Sequence, residues 1–145
     1  MPRIRSIKPE LPENEALGRV CRDARLLYVL MTTHADDEGR LRANPRYLAH
    51  TLFPYDTDAE EGIVSWIRQL EMQRLALTYS YDGQAYVALL SWHTDQRIDK
   101  PQASRLPAPP RLQAELFELT PDESGSSDDN SEIAAARRKR STTSA

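Results

Sequence analysis

Apolar residues recur at helical spacing in three segments of the first half of the chain. They predict helices near residues 21–36, 44–53 and 58–73. The second helix opens at Asn44-Pro45, where asparagine can cap free backbone N–H groups and proline suits the first helical position. Pro54 is expected to end it. The inward stripe of the first helix is Ala24, Leu27, Tyr28, Met31 and Ala35, and Gly39 can provide a left-handed stop after it.

The pattern then changes to short runs rich in aromatic and aliphatic residues, at 75–81 and 84–90. Asp82-Gly83 lies between them and is a strong signal for a two-residue hairpin turn. Arg40-Leu41-Arg42 is long enough for a short third strand beside the hairpin. The predicted core consists of Leu27, Leu30, Leu48, Ile63, Trp66, Ile67, Leu70, Val87 and Leu89.

Helix, turn, helix and two-stranded wing is the order of a winged helix-turn-helix, an α+β fold that often holds a helix against DNA. We assign residues 19–92 to this domain. Residues 1–18 contain three prolines and are predicted to form an extended basic arm, and residues 93–111 an extended basic strap. Residues 112–145 are predicted to be a mostly disordered tail in which 112–119 can form a short helix.

The net charge of −3 is unevenly distributed along the chain. Residues 1–112 are balanced in charge, and the excess of acidic residues lies in 113–145. Both flanks of the predicted domain are locally basic, and local clusters rather than net charge decide where phosphate binds. The flanking candidates for DNA contact are Arg3, Arg5, Lys8, Arg97 and Lys100.

Two further groups of residues are candidates for DNA contact. Arg40, Arg42 and Arg46 surround the start of the second helix, where phosphate contacts are expected unless they form only a solvated basic face. Outward positions of the third helix carry side chains that can reach base edges, namely Ser65, Arg68, Gln69 and Gln73. Because Glu60 and Glu61 at its start would repel phosphate, a solvated or protein-docking face remains the alternative.

No catalytic, metal or cofactor site is predicted. His34, His50 and His93 are widely spaced and no glycine-rich phosphate loop is present. The single cysteine, Cys21, is expected to be a small buried thiol. The carboxylates at 36–38 coincide with a helix stop and are expected to be solvated caps. No apolar stretch is long enough to span a bilayer, so a cytoplasmic protein with no membrane partner is expected.

Four segments of residues 1–110 resemble, in order, a family of small bacteriophage and prophage proteins. They are 2–10 (PRIRSIKPE), 35–41 (ADDEGRL), Asn44-Pro45 and 92–101 (WHTDQRIDKP). Members are described as helix-turn-helix DNA-binding proteins or as the N-terminal winged-helix domains of phage replication initiators, the replisome organisers. The resemblance implies a winged helix, DNA as partner and a role in replication initiation or control of phage genes. Longer members add a C-terminal helical domain, in whose place this sequence has an acidic-then-basic tail.

A second function fits the same sequence. A winged helix also serves as a protein-docking or oligomerisation module. The balanced charge of residues 1–112 and the acidic start of the third helix fit an adaptor that self-associates or binds replication proteins without reading DNA sequence.

Overall fold

The computed structural model describes residues 2–111, which form an α+β fold with five helices and a three-stranded antiparallel sheet. The three longer helices are α2 (Arg22–His34), α3 (Pro45–Leu52) and α4 (Ala59–Met72). Two single turns are α1 (Glu15–Gly18) and α5 (Trp92–Asp95). The strands are β1 (Arg40–Arg42), β2 (Ala76–Tyr81) and β3 (Gln84–Leu89).

Helix α2 presents its predicted stripe to the core, since Ala24, Leu27, Tyr28, Met31 and Ala35 are all buried. The helix begins one residue after Cys21, which is its N-cap. The Cys21 N–H donates to Gln69 Oε1 at 2.8 Å, so a side chain of α4 satisfies a free donor at the start of α2. The Cys21 side chain is exposed, and the prediction of a buried thiol is therefore wrong. Its cap position places it outside the apolar stripe.

Helix α3 begins as its sequence predicts. Asn44 Oδ1 accepts from the N–H groups of Arg46 and Tyr47 at 3.0 and 3.3 Å, and Pro45 occupies the first turn. The helix ends at Leu52, before Phe53 and Pro54. The buried residues of α3 are Leu48, Ala49 and Leu52. Their burial turns the positions between them outward.

Helix α4 packs on α2 and α3 through Ile63, Ile67 and Leu70, all of them buried. Trp66 lies at the edge of this stripe and is only partly buried, with its ring 5.4 Å from that of Phe53. Leu30 is likewise a partly buried neighbour of the core. The other predicted core residues, Leu27, Leu48, Val87 and Leu89, are buried.

The sheet has the strand order β1-β3-β2, with Leu41 opposite Val87 and Tyr81 opposite Gln84. Asp82 and Gly83 have φ values of +52° and +75°, as a type I′ turn requires at both central positions. The predicted hairpin and third strand are therefore confirmed. Alternate residues of β3 face opposite sides: Val87 and Leu89 enter the main core, whereas Tyr86 and Ala88 form a second cluster with Tyr79.

The flanking segments differ in part from the extended chain that was predicted. The arm turns helical at Leu11–Glu13, a 3-10 turn, and again in α1, whose cap is the Asn14 side chain. The start of the strap is the helical turn α5, with Trp92 buried. Further along, Leu106 packs on the second cluster and Tyr79 Oη donates to the Pro107 carbonyl at 2.7 Å.

The predicted tail at 112–145, including the helix expected at 112–119, lies outside the described residues. Within residues 2–111, no helix is both long enough and apolar enough to cross a membrane.

Candidate nucleic-acid interface

The arginines of the N-terminal arm are bound to the protein itself. Arg3 Nη1 donates to both carboxylate oxygens of Asp37 at 3.0 Å, and Arg3 Nη2 donates to Gln102 Oε1 at 2.9 Å. Arg5 Nη2 donates to the Ala35 carbonyl at 2.9 Å and to Asp37 Oδ1 at 3.1 Å. The Arg5 side chain is only 6% exposed, so in this structure it is not available to a phosphate as the sequence predicts.

Asp37 is the acceptor that joins the arm to the strap. It is buried and also accepts from the Gln102 N–H at 2.9 Å. That backbone hydrogen bond and the guanidinium groups of Arg5 and Arg3 lower the pKa of Asp37 below its ordinary value of 3.8, although burial opposes the shift. The expectation that the carboxylates at 36–38 are solvated caps is therefore wrong for Asp37.

Trp92 completes this set of contacts, here called the anchor, which consists of Arg3, Arg5, Asp37, Trp92 and Gln102. Its Nε1–H donates to the Asp37 carbonyl at 2.9 Å, and the Arg5 guanidinium carbon lies 4.9 Å from the centre of its ring. The arm is further fixed by Gln96, whose side chain accepts from the Ser6 N–H and donates to the Ser6 carbonyl. A sequence signal for the anchor existed, because arginines two residues apart lie on the same side of an extended chain.

Lys8, Arg97 and Lys100 remain exposed. Lys8 Nζ donates to the Thr94 carbonyl at 2.8 Å, and Lys8 and Arg97 line an open groove of about 590 Å³. The groove also contains carboxylates, among them Glu38, which lies 3.6 Å from His93 Nε2. This mixture of charges makes the groove a poor phosphate site.

The arginines around the start of α3 divide into two kinds. Arg40 is half-buried, and its Nη1 donates to the Leu106 carbonyl of the strap at 3.3 Å. Arg42 and Arg46 are exposed, and neither forms an ion pair with any residue in 2–111. These two guanidinium groups are therefore available to an anionic ligand.

Helix α4 exposes only part of the predicted base-reading set. Ser65 and Arg68 are exposed. Gln69 is half-buried and occupied by the Cys21 N–H, while Gln73 is the half-buried C-cap of the helix. In this arrangement Gln69 is not free to read bases as the sequence predicts, because its acceptor oxygen already caps α2.

The outward face of α4 also carries apolar side chains. Val64 is 49% and Met72 is 74% exposed, beside the acidic Glu60 and Glu61 near the start of the helix. This combination is less favourable to DNA than a basic face, since carboxylates repel phosphate.

No group of three or more His, Cys, Asp or Glu side chains in the described part of the chain is arranged to hold a metal ion. A scan against protein-family models, a search of curated proteins and a search of solved structures each found no match to this chain.

Proposed function

We propose that this chain is a winged-helix DNA-binding protein of a phage or prophage, acting in replication initiation or control of phage genes in the cytoplasm of the bacterial host. The order α2, β1, α3, α4, β2, β3 and the sheet order β1-β3-β2 support a winged helix, with α4 in the recognition position and the Asp82-Gly83 hairpin as the wing. The resemblance of four sequence segments supports the phage role.

The observation that carries the proposal is the pair of free arginines at the start of α3. Arg42 and Arg46 are exposed on either side of the Asn44 cap and lack carboxylate partners among residues 2–111. An unpaired cation gains the full benefit of a phosphate contact, because no internal ion pair must be broken first. Of the outward residues on α4, Arg68 and Ser65 are the ones that remain for base contacts.

This division of roles predicts binding that depends steeply on salt and weakly on sequence. Affinity for a labelled duplex is measured by fluorescence anisotropy over a series of salt concentrations. Replacing Arg42 and Arg46 together by alanine should lower affinity for all duplexes about equally and flatten the logarithmic salt slope by roughly 0.9 for each lost contact.

The matched control is the double variant Arg19→Ala with Arg22→Ala, which removes the same charge from exposed positions near the start of α2. It should leave the salt slope unchanged. A wild-type chain that binds no duplex at low salt rejects the proposal, and equal losses in the two double variants reject the assignment of the contact to α3.

A second candidate, the adaptor, is favoured by the exposed apolar side chains of α4. Val64 and Met72 are both exposed and lie about two turns apart on α4, so together they offer apolar surface to a partner. Light scattering distinguishes this function. The adaptor predicts a defined oligomer that Val64→Ser with Met72→Ser dissociates, whereas the DNA-binding proposal predicts that this variant retains duplex affinity.

A further inference from the structure

Four residues at the start of α3 line a shallow, open concavity of about 450 Å³, here called the α3 cup: Asn44, Arg46, Tyr47 and His50. All four side chains are exposed. Arg46 and Tyr47 lie four and three positions before His50, so the three share one face of the helix. Burial of Leu48, Ala49 and Leu52 on the opposite side fixes this orientation.

Tyr47 is the unusual member of the α3 cup. Its side chain is 44% exposed, and its hydroxyl has no hydrogen-bond partner among residues 2–111. The tyrosine hydroxyl therefore does not tie the ring to the protein. An aromatic face beside a free arginine provides two contacts at once, a stacking surface and a cation.

The helix terminus itself is not the anion-binding element of the α3 cup. Asn44 Oδ1 already accepts from the N–H groups of Arg46 and Tyr47, so these two backbone donors are occupied. The remaining groups that can donate to an anion are the side chains of Arg46 and His50. None of the four lining residues is acidic, in contrast to the mixed groove beside Lys8. The α3 cup therefore suits an anion that also has a flat apolar face.

A nucleotide has both features, but the base must be unpaired to use them. In a duplex the faces of the bases are covered by stacked neighbours, and proteins contact the base edges from the grooves. In a single strand the base faces are accessible, and stacking on an aromatic side chain tolerates any base. We propose that the α3 cup binds an unpaired nucleotide of a single-stranded nucleic acid, with its base on Tyr47 and its phosphate on Arg46 and His50.

This inference rests on the proposed nucleic-acid-binding function and adds to it a preference for unpaired strands at one site. The probes are a short fluorescein-labelled oligothymidylate, an oligouridylate of the same length and a duplex, measured by anisotropy with the full chain. Oligothymidylate and oligouridylate share the stacking chemistry. Comparing the two shows whether DNA or RNA is the better ligand.

The decisive variants are Tyr47→Ala and Tyr47→Phe. Tyr47→Ala should lower affinity for the better single strand by roughly 5- to 150-fold, while Tyr47→Phe stays within about twofold because the ring is kept. Affinity for duplex should change little. Tyr81→Ala is the matched control, because Tyr81 is 62% exposed but lies at the hairpin, outside the α3 cup. Circular dichroism confirms that each variant is folded.

The outcomes separate this inference from the proposed function. Duplex binding together with equal single-strand affinities for wild type and Tyr47→Ala overturns the inference and leaves the proposed function standing. Equal losses for Tyr47→Phe and Tyr47→Ala overturn the stacking role. If neither duplex nor single strand binds at low salt, both proposals fall.

Discussion

The contact between Gly39 and Trp92 provides the most direct test of the anchor that joins arm, loop and strap. Gly39 has a φ of +76°, and a Cβ added there would lie 2.6 to 2.9 Å from Cγ, Cβ and Cδ2 of Trp92. These atoms are at the base of a buried side chain, whose Nε1 is also held by the Asp37 carbonyl. A small movement of the outer edge of the indole ring therefore cannot relieve the clash.

The expected loss of stability in Gly39→Ala has two parts. A left-handed conformation costs a residue with a Cβ about 1–2 kcal/mol. Displacing Trp92 by several tenths of an ångström in a packed site adds about 1–3 kcal/mol, as other overpacked sites show. The free energy of unfolding should therefore fall by about 2–5 kcal/mol.

Gly83 offers a matched comparison. Its φ is +75°, nearly identical, but a Cβ there would meet nothing within 4 Å. Gly83→Ala should therefore show only the conformational part, about 1–2 kcal/mol. Gly18→Ala, in open space and without a positive φ, corrects for the lower entropy of the unfolded chain.

The free energy of unfolding of all three glycine variants is measured by urea titration, followed by circular dichroism at about 222 nm, the wavelength of the helix signal. The slope of the free energy against urea concentration checks for two-state behaviour. If Gly39→Ala and Gly83→Ala lose the same stability, the close packing of Trp92 on Gly39 is wrong. A Gly83→Ala variant as stable as wild type would instead contradict the type I′ turn.

Two further predictions concern the flanking segments. Because the folded-state pKa of Asp37 is lowered, its carboxylate stabilises the fold above the ordinary pKa of 3.8, and this contribution is lost as the pH falls through the folded-state value. Asp37→Asn should lower the urea midpoint at pH 7, and the midpoint should then depend less on pH below about 4. If the midpoint of Asp37→Asn falls with pH as steeply as that of the wild type, the anchor is refuted. Tyr79→Phe removes the hydrogen bond to the Pro107 carbonyl, which should lower the free energy of unfolding by about 0.5–1.5 kcal/mol and speed tryptic cleavage after Arg105. The control Tyr81→Phe should have neither effect.

Local sequence signals predicted the elements that depend on neighbouring residues. The Asn44-Pro45 start of α3 and the Asp82-Gly83 turn each require a few adjacent residues, and both are present in the structure. The prediction of a buried Cys21 is wrong because the helical register, and not the residue type, decides which side chains of α2 face the core. Cys21 precedes Ala24, the first buried residue of α2, and is the N-cap of that helix.

The anchor could not be predicted in the same way, because its partners are distant in sequence. Arg3 and Asp37 are 34 residues apart, and Asp37 and Gln102 are 65 apart. Charge patterning shows that the arm is basic but does not identify which carboxylate it meets. For the same reason the sequence could not distinguish the bound Arg5 from the free Arg42.

Three of the four segments that carry the family resemblance meet in this anchor. Arg3 and Arg5 come from the first segment, Asp37 and Gly39 from the second, and Trp92 from the last. Their shared role in the structure is to fix the arm and the strap against the loop before β1, and not to present cations to DNA. These contacts therefore concern the packing of residues 2–111 and not the proposed contact with DNA. We therefore expect nucleic-acid affinity to depend on positions outside these three segments, and the variants of Arg42, Arg46 and Tyr47 test this expectation.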